Sequence, residues 1–189
     1  MKKSILVIIL ISFVIITAGN KNAGQIPVRI APFKTVKIGK QTWTAENLDL
    51  LMPRSWYYEN DSTNNKKYGR LYYWSNAMAA APKGWHVPSL DEWNELITYC
   101  GGDSLAGGKM MEAGSTGLNL QFGGHLSANI TTSLLFDMLN FKGFYWTSTP
   151  NGVQIAYAIN VTKGSWFIGK NYYREANGFS VRLIKDEGK

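Results

Sequence analysis

The chain has 189 residues, with 20 Lys and Arg against 13 Asp and Glu and a formal net charge of +7. Its single cysteine, Cys100, excludes a fold held together by internal disulfides. The basic residues are scattered singly among aromatic residues rather than clustered on one segment, so we expect no nucleic-acid partner. Aromatic residues make up 13% of the chain, and such side chains supply both core area and exposed platforms for ligands.

The N-terminus has the pattern of a signal peptide. Lys2 and Lys3 precede an uncharged apolar run over residues 4–18, so we predict a signal peptide over residues 1–19. The run is shorter than the roughly 20 apolar residues that cross a bilayer, which makes a retained anchor the less favoured alternative. We therefore expect an exported protein in the periplasm, at the cell surface or secreted, which meets the membrane only if the signal peptide stays uncleaved.

Residues 20–34 lack apolar periodicity and are predicted to form a linker before a domain over residues 35–187. The domain opens with a predicted hairpin, in which residues 36–43 turn at Gly39 and Lys40. Thr44 is expected to cap a helical turn that runs through Leu48. The next predicted elements are a loop over residues 56–67, an extended segment over residues 68–74 and a helix over residues 75–81.

The clearest element is a helix that begins after Ser89. Ser89 precedes Glu92 by three residues, the spacing of a capping box in which each side chain bonds the other's free backbone N–H. The apolar residues that follow share one helical face: Leu90, Trp93, Leu96, Ile97 and Cys100. The pair Gly101 and Gly102 is expected to end the helix.

The second half changes from irregular sequence to an alternating pattern. Residues 101–130 are rich in glycine and are expected to be irregular, and the apolar spacing over residues 134–139 predicts a short helix after Ser133. From Phe144 the apolar period is two, which predicts an antiparallel meander whose first turn is Asn151-Gly152, with a loop over residues 169–178 before a last strand over residues 179–184. Helices followed by a β-meander, without strand-helix-strand alternation, indicate an α+β fold.

Five segments together resemble the Fibrobacter succinogenes major paralogous domain, a family of exported bacterial domains, and the resemblance spans residues 35–186. The segments are Ile38 to Leu48, Tyr68 to Tyr72, Gly84 to Trp93, Phe144 to Thr149, and Gly178 to Arg182. The resemblance implies a C-type-lectin-like fold, distantly similar to formylglycine-generating enzymes.

Those enzymes need redox-active cysteines, and calcium-dependent lectins carry Glu-Pro-Asn or Gln-Pro-Asp motifs that this chain lacks. We therefore expect no catalytic residues, no metal and no cofactor, with calcium as a possibility that no motif supports.

The chemically reactive residue types also favour a protein that is not an enzyme. Cys100 falls on the apolar helix face and is expected to be buried and structural. His86 and His125 are too few for a histidine metal site, and His86 is expected to anchor its turn through a hydrogen bond. The carboxylates of Asp91 and Glu92 are explained by helix capping, and no Gly-x-Ser-x-Gly elbow occurs.

Two segments combine aromatic and polar residues in the way that ligand surfaces do. The candidate ligand-binding residues of the first are Trp166, Phe167, Asn171, Tyr172, Tyr173 and Arg174, and those of the second are Trp56, Tyr57 and Tyr58. The alternative is that alternate aromatics of these segments simply face the core. We predict an interaction module that binds a polysaccharide or an envelope or surface protein, or else a structural component of the envelope without a small ligand.

Overall fold

A computed structural model describes residues 33–127 and 134–187, with residues 65 and 66 described by their backbone alone. The predicted signal peptide and all of the predicted linker except Phe33 and Lys34 lie outside the described residues. The strands are β1 (Thr35–Ile38), β2 (Gln41–Thr44), β3 (Ser55–Trp56), β4 (Leu71–Tyr72), β5 (Trp85–His86), β6 (Gly123–Ser127), β7 (Leu135–Leu139), β8 (Lys142–Pro150), β9 (Ile155–Thr162), β10 (Ile168–Arg174) and β11 (Ile184–Lys185). The helices are α1 (Asn65–Tyr68), α2 (Trp74–Ala80), α3 (Leu90–Tyr99) and α4 (Ala106–Met110).

A few short helices pack on a structure that is mostly β-sheet, which is consistent with the α+β fold predicted from the sequence. The central sheet has the strand order β10-β9-β8-β6-β7, a second sheet has the order β1-β2-β11-β5, and β3 pairs with β4. None of the described helices is long and apolar enough to cross a membrane.

The central sheet is covered on both faces, which explains its continuous apolar strands. One face packs against α3 through Trp93 and Ile97, which contact Ile159 and Val161 of β9 in one buried cluster. The opposite face packs against α2 and the segment that contains the fully buried Phe179. Cys100 lies in the first cluster, and only 2% of it is exposed.

Helix α3 confirms the capping-box prediction. The Ser89 hydroxyl accepts from the Glu92 N–H at 3.2 Å, and the Glu92 carboxylate accepts from the Ser89 N–H at 2.7 Å. His86 sits directly beneath this cap, where its Nε2 lies 2.8 Å from Glu92 and its Nδ1 lies 2.6 Å from Asp186. The predicted helix over residues 75–81 is also present, as α2, and the predicted hairpin is present as β1 and β2.

The helical turn predicted after Thr44 is wrong. Thr44 ends β2, and its hydroxyl accepts a hydrogen bond from the Leu183 N–H at 3.0 Å. Leu48 donates its N–H to the carbonyl of Val181 at 2.9 Å. Contacts with a distant segment therefore take the backbone groups that a local helix would have used.

The helix predicted after Ser133 is also wrong, because residues 135–139 form β7. This strand pairs with β6 in antiparallel register, with His125 opposite Asp137. Its apolar spacing fits a helix, but β6 pairs with four of its five residues, and tertiary pairing overrides local periodicity. The described part of the segment predicted to be irregular, residues 101–127, is more regular than expected, since it includes α4 and β6.

The meander differs from the prediction at its C-terminal end. Its third strand, β10, runs from Ile168 to Arg174, so most of the expected loop over residues 169–178 is a strand. The expected last strand over residues 179–184 contributes only Ile184 and Lys185 to a ladder, while Phe179 and Ser180 make isolated bridges.

Candidate ligand-binding surface

Six of the nine residues predicted to bind ligand lie on or just before β10, an edge strand. Because successive side chains of a strand point to opposite faces, Lys170 and Tyr172 share one face of the sheet, and Asn171 and Tyr173 share the other. The residues predicted as one loop surface are therefore divided between two faces.

Trp166 is held flat against helix α4. The Gly107 N–H donates to the Trp166 carbonyl at 2.8 Å, and a Cβ atom on Gly107 would come within 2.5 Å of that oxygen. A Cβ atom on Gly108 would lie 3.0 Å from three atoms of the indole ring. The two glycines thus let the backbone and the ring of Trp166 lie directly on the helix, while 63% of Trp166 stays exposed.

An ion pair and a second aromatic residue lie along the face of β10 that carries Lys170 and Tyr172. Lys170 Nζ lies 2.7 Å from the Asp103 carboxylate, and the Asp103 carbonyl accepts from the Ile168 N–H at 2.8 Å. Two residues further along β10, Tyr172 is 61% exposed and meets Tyr157 edge to face. We call the set Trp166, Asp103, Lys170 and Tyr172 the β10 surface.

Asp103, Lys170 and the two glycines of α4 were missed by the sequence reasoning. The sequence contained one signal for the glycines, since Gly107 and Gly108 form an adjacent pair, but nothing in it indicated their partner. Asp103 lies far from β10 along the chain and joins the surface only through tertiary contacts.

The opposite face of β10 anchors the strand to the sheet. The buried amide oxygen of Asn160 accepts from Asn171 Nδ2 at 2.8 Å and from the Tyr173 hydroxyl at 2.9 Å. Tyr173 also packs edge to face against Phe179, and burial raises the pKa of its phenol. Tyr173 thus has a structural role on this face.

The other predicted site residues are placed as follows. Phe167 and Arg174 lie exposed at the two ends of β10. Trp56 is half-buried against Tyr73, and the Tyr57 ring lies 3.8 Å from the Arg70 guanidinium. Tyr58 is buried and packs on Phe136. Most of the aromatic area of the second predicted patch therefore packs within the fold.

The two histidines and the cysteine lie outside the β10 surface. His86 lines a groove of about 510 Å³, and burial would lower its pKa, but hydrogen bonds and charges of Asp186 and Glu92 raise it overall. Burial lowers the pKa of His125 and raises the pKa of the Cys100 thiol. The described residues contain no group of three or more His, Cys, Asp or Glu side chains arranged to hold a metal ion.

The motif residues form an internal frame around Arg182. The fully buried guanidinium donates to the Asn47 amide oxygen at 2.6 Å and to three carbonyls, those of Thr44, Leu118 and Asn119, at 2.7 to 2.9 Å. Gly69 packs closely on the backbone of Leu48. These residues hold the two halves of the chain together and take no part in the β10 surface.

Comparison with known proteins gives one match. The family model described as the Fibrobacter succinogenes major domain matches residues 36–185. No curated protein and no solved structure matches the chain.

Proposed function

Since the chain belongs to the Fibrobacter succinogenes major domain family, we propose that it is an exported, non-catalytic binding module with a C-type-lectin-like fold that recognises carbohydrate through its β10 surface. The family motifs of this chain lie in the internal frame around Arg182 and in the capped helix α3. The recognition chemistry is therefore assigned to residues outside those motifs.

The seating of Trp166 is the observation that carries the proposal. One face of the indole rests on Gly108, so the ring is positioned without help from a ligand. Sugar rings present apolar C–H faces that stack on aromatic side chains, and a fixed ring loses little entropy on binding. A large apolar side chain that is both immobilised and 63% exposed has no core-packing explanation.

The ion pair between Asp103 and Lys170 supplies the polar half of the recognition. Asp103 offers carboxylate acceptors and Lys170 offers ammonium donors at one point of the surface. A sugar hydroxyl both donates and accepts hydrogen bonds, so an adjacent carboxylate acceptor and ammonium donor can bind it. Tyr172, two residues from Lys170 along the strand, adds a second aromatic contact about 7 Å further on.

The open edge of β10 favours a second candidate, a structural component that assembles through strand pairing. The Ile168 N–H points away from β9, since it bonds to Asp103. The backbone groups of Lys170 and Tyr172 share that outward direction, and no described residue pairs with them. An open edge is a template for another strand.

A glycan array probed with the purified chain, with and without calcium, tests the proposal. We expect saturable binding that Trp166→Ala and Tyr172→Ala each weaken by about tenfold or more, with unchanged melting temperatures. Tyr99→Ala removes an equally exposed tyrosine from helix α3 and should leave binding intact. Absence of glycan binding together with stable self-association would favour the assembly candidate.

A further inference from the structure

One end of the central sheet brings two turns together. Strand β7 ends at Leu139 and β8 begins at Lys142, while β9 ends at Thr162 and β10 begins after residue 167. Lys142 pairs with Thr162, and the Lys163 N–H donates to the Phe141 carbonyl at 2.9 Å. The β7–β8 turn and the β9–β10 turn are therefore neighbours.

Both turns expose large apolar side chains. Met138, near the end of β7, is 37% exposed, Phe141 in the β7–β8 turn is 55% exposed, and Phe167 in the β9–β10 turn is 57% exposed beside Trp166. Met138 and Asn140 both adopt positive φ, near 60°, a conformation that is costly for a residue such as methionine. The backbone of this turn thus tolerates strain while presenting its apolar residues to solvent. We call Met138, Phe141, Trp166 and Phe167 the apolar tip.

Two lysines flank the apolar tip without carboxylate partners. Lys142 follows Phe141 directly, and its ammonium lies over the Phe144 ring at 5.1 Å. Lys163 is exposed in the neighbouring turn. Among residues 33–127 and 134–187, neither ammonium lies within ion-pair distance of a carboxylate. The tip therefore combines apolar protrusion with two lysines that form no ion pair with a described residue, while Asp137 beside Met138 is an exposed carboxylate.

We propose that the apolar tip docks this domain onto the surface of an anionic lipid bilayer. Aromatic and aliphatic side chains on protruding turns enter the headgroup region, where Trp is favoured, while adjacent lysines meet anionic headgroups. A second copy of the chain fits less well, because a two-fold contact would bring like-charged lysines together. The tip shares Trp166 with the β10 surface, but the inference does not require carbohydrate binding, since Met138, Phe141 and Phe167 lie outside that surface.

Site-specific fluorescence in the full chain tests the inference even if the N-terminal segment also binds lipid. Phe141→Cys is labelled with an environment-sensitive dye, and Val153→Cys is the matched control, since Val153 is 88% exposed in the turn at the opposite end of β8 and β9. Cys100 is buried and should not be labelled in the native protein. Each protein is mixed with vesicles of phosphatidylcholine alone or with phosphatidylcholine and phosphatidylglycerol.

We expect a blue shift and quenching by brominated lipid at position 141 only, and only with phosphatidylglycerol. Lys142→Gln with Lys163→Gln should weaken this response by about 30-fold, since each lysine near an anionic surface contributes about fivefold. Met138→Cys repeats the measurement should Phe141→Cys prove unstable. Equal responses at positions 141 and 153, no response at either, or a shift at 141 that depends on protein concentration without vesicles would overturn the inference.

Discussion

Replacing His86 by glutamine removes a side chain that joins two carboxylates from different parts of the chain. Both ring nitrogens face carboxylate oxygens, of Glu92 and Asp186, so the bridge is complete only when the imidazole carries two protons. The pKa of His86 is raised above its usual 6.5. The pKa of Glu92 is lowered below its usual 4.5, because burial, which acts in the opposite direction, is outweighed by its hydrogen bonds to Ser89 and His86.

The direction of the pH effect follows from these two shifts. A histidine with a raised pKa stabilises the fold fully below pH 6.5, and its contribution is lost as pH rises through the folded-state value. A glutamate with a lowered pKa contributes above pH 4.5 and loses its contribution as pH falls further. The bridge therefore contributes most between these two values.

The magnitude is limited by solvent. The His86, Glu92 and Asp186 side chains are 41%, 30% and 51% exposed, so each ion pair is worth only about 0.2 to 1 kcal/mol. The two pairs together stabilise the folded state by about 1 kcal/mol, which corresponds to about 3 °C in Tm for a chain of this size.

Thermal melts of the wild type and of His86→Gln should differ by about 3 °C at about pH 5.5 and converge toward about pH 9. His125→Gln is the matched control, because burial lowers the pKa of His125, with the Asp137 charge opposing the shift and Lys142 adding to it. A histidine with a lowered pKa destabilises the fold as pH falls below 6.5, so its pH dependence has the opposite sign. A difference between wild type and His86→Gln that is constant with pH, or grows as pH rises, would refute the ion-pair reasoning.

Three further outcomes follow from the contacts. Gly108→Ala should lower glycan affinity several-fold, since the new Cβ displaces the indole of Trp166. The Tm should change little, because alanine gains about 1 kcal/mol of helix propensity over glycine. Titration calorimetry measures the affinity, and a melting curve measures the Tm. Arg182→Lys should lower the free energy of unfolding in urea by about 3 kcal/mol, because an ammonium cannot reach all four acceptors of the planar guanidinium. A loss below about 1 kcal/mol would contradict the structural role assigned to the internal frame. Cys100, whose thiol pKa is raised by burial, should resist thiol reagents at neutral pH until the chain is unfolded in guanidinium, and rapid reaction of the native protein would be the contrary result.

Local chemistry in the sequence determined several elements by itself. The capping box at Ser89, the buried face of α3 and the hairpin at Gly39 depend on residues a few positions apart, so spacing alone predicted them. The five motif segments likewise indicated the family, although they did not show that Asn47 and Arg182 meet in the core.

The tertiary structure alone decided the placement of β7 and β10 and the composition of the candidate site. Residues 134–139 have helical spacing, and residues 169–178 are polar and aromatic without a strong period, so both needed a neighbouring strand to become extended. The β10 surface joins Asp103 to Trp166 and Lys170, which lie in a distant segment, and the apolar tip joins two turns that only sheet topology makes neighbours. A sequence specifies contacts between near residues through periodicity and capping, whereas contacts between distant residues exist only after the strands have paired.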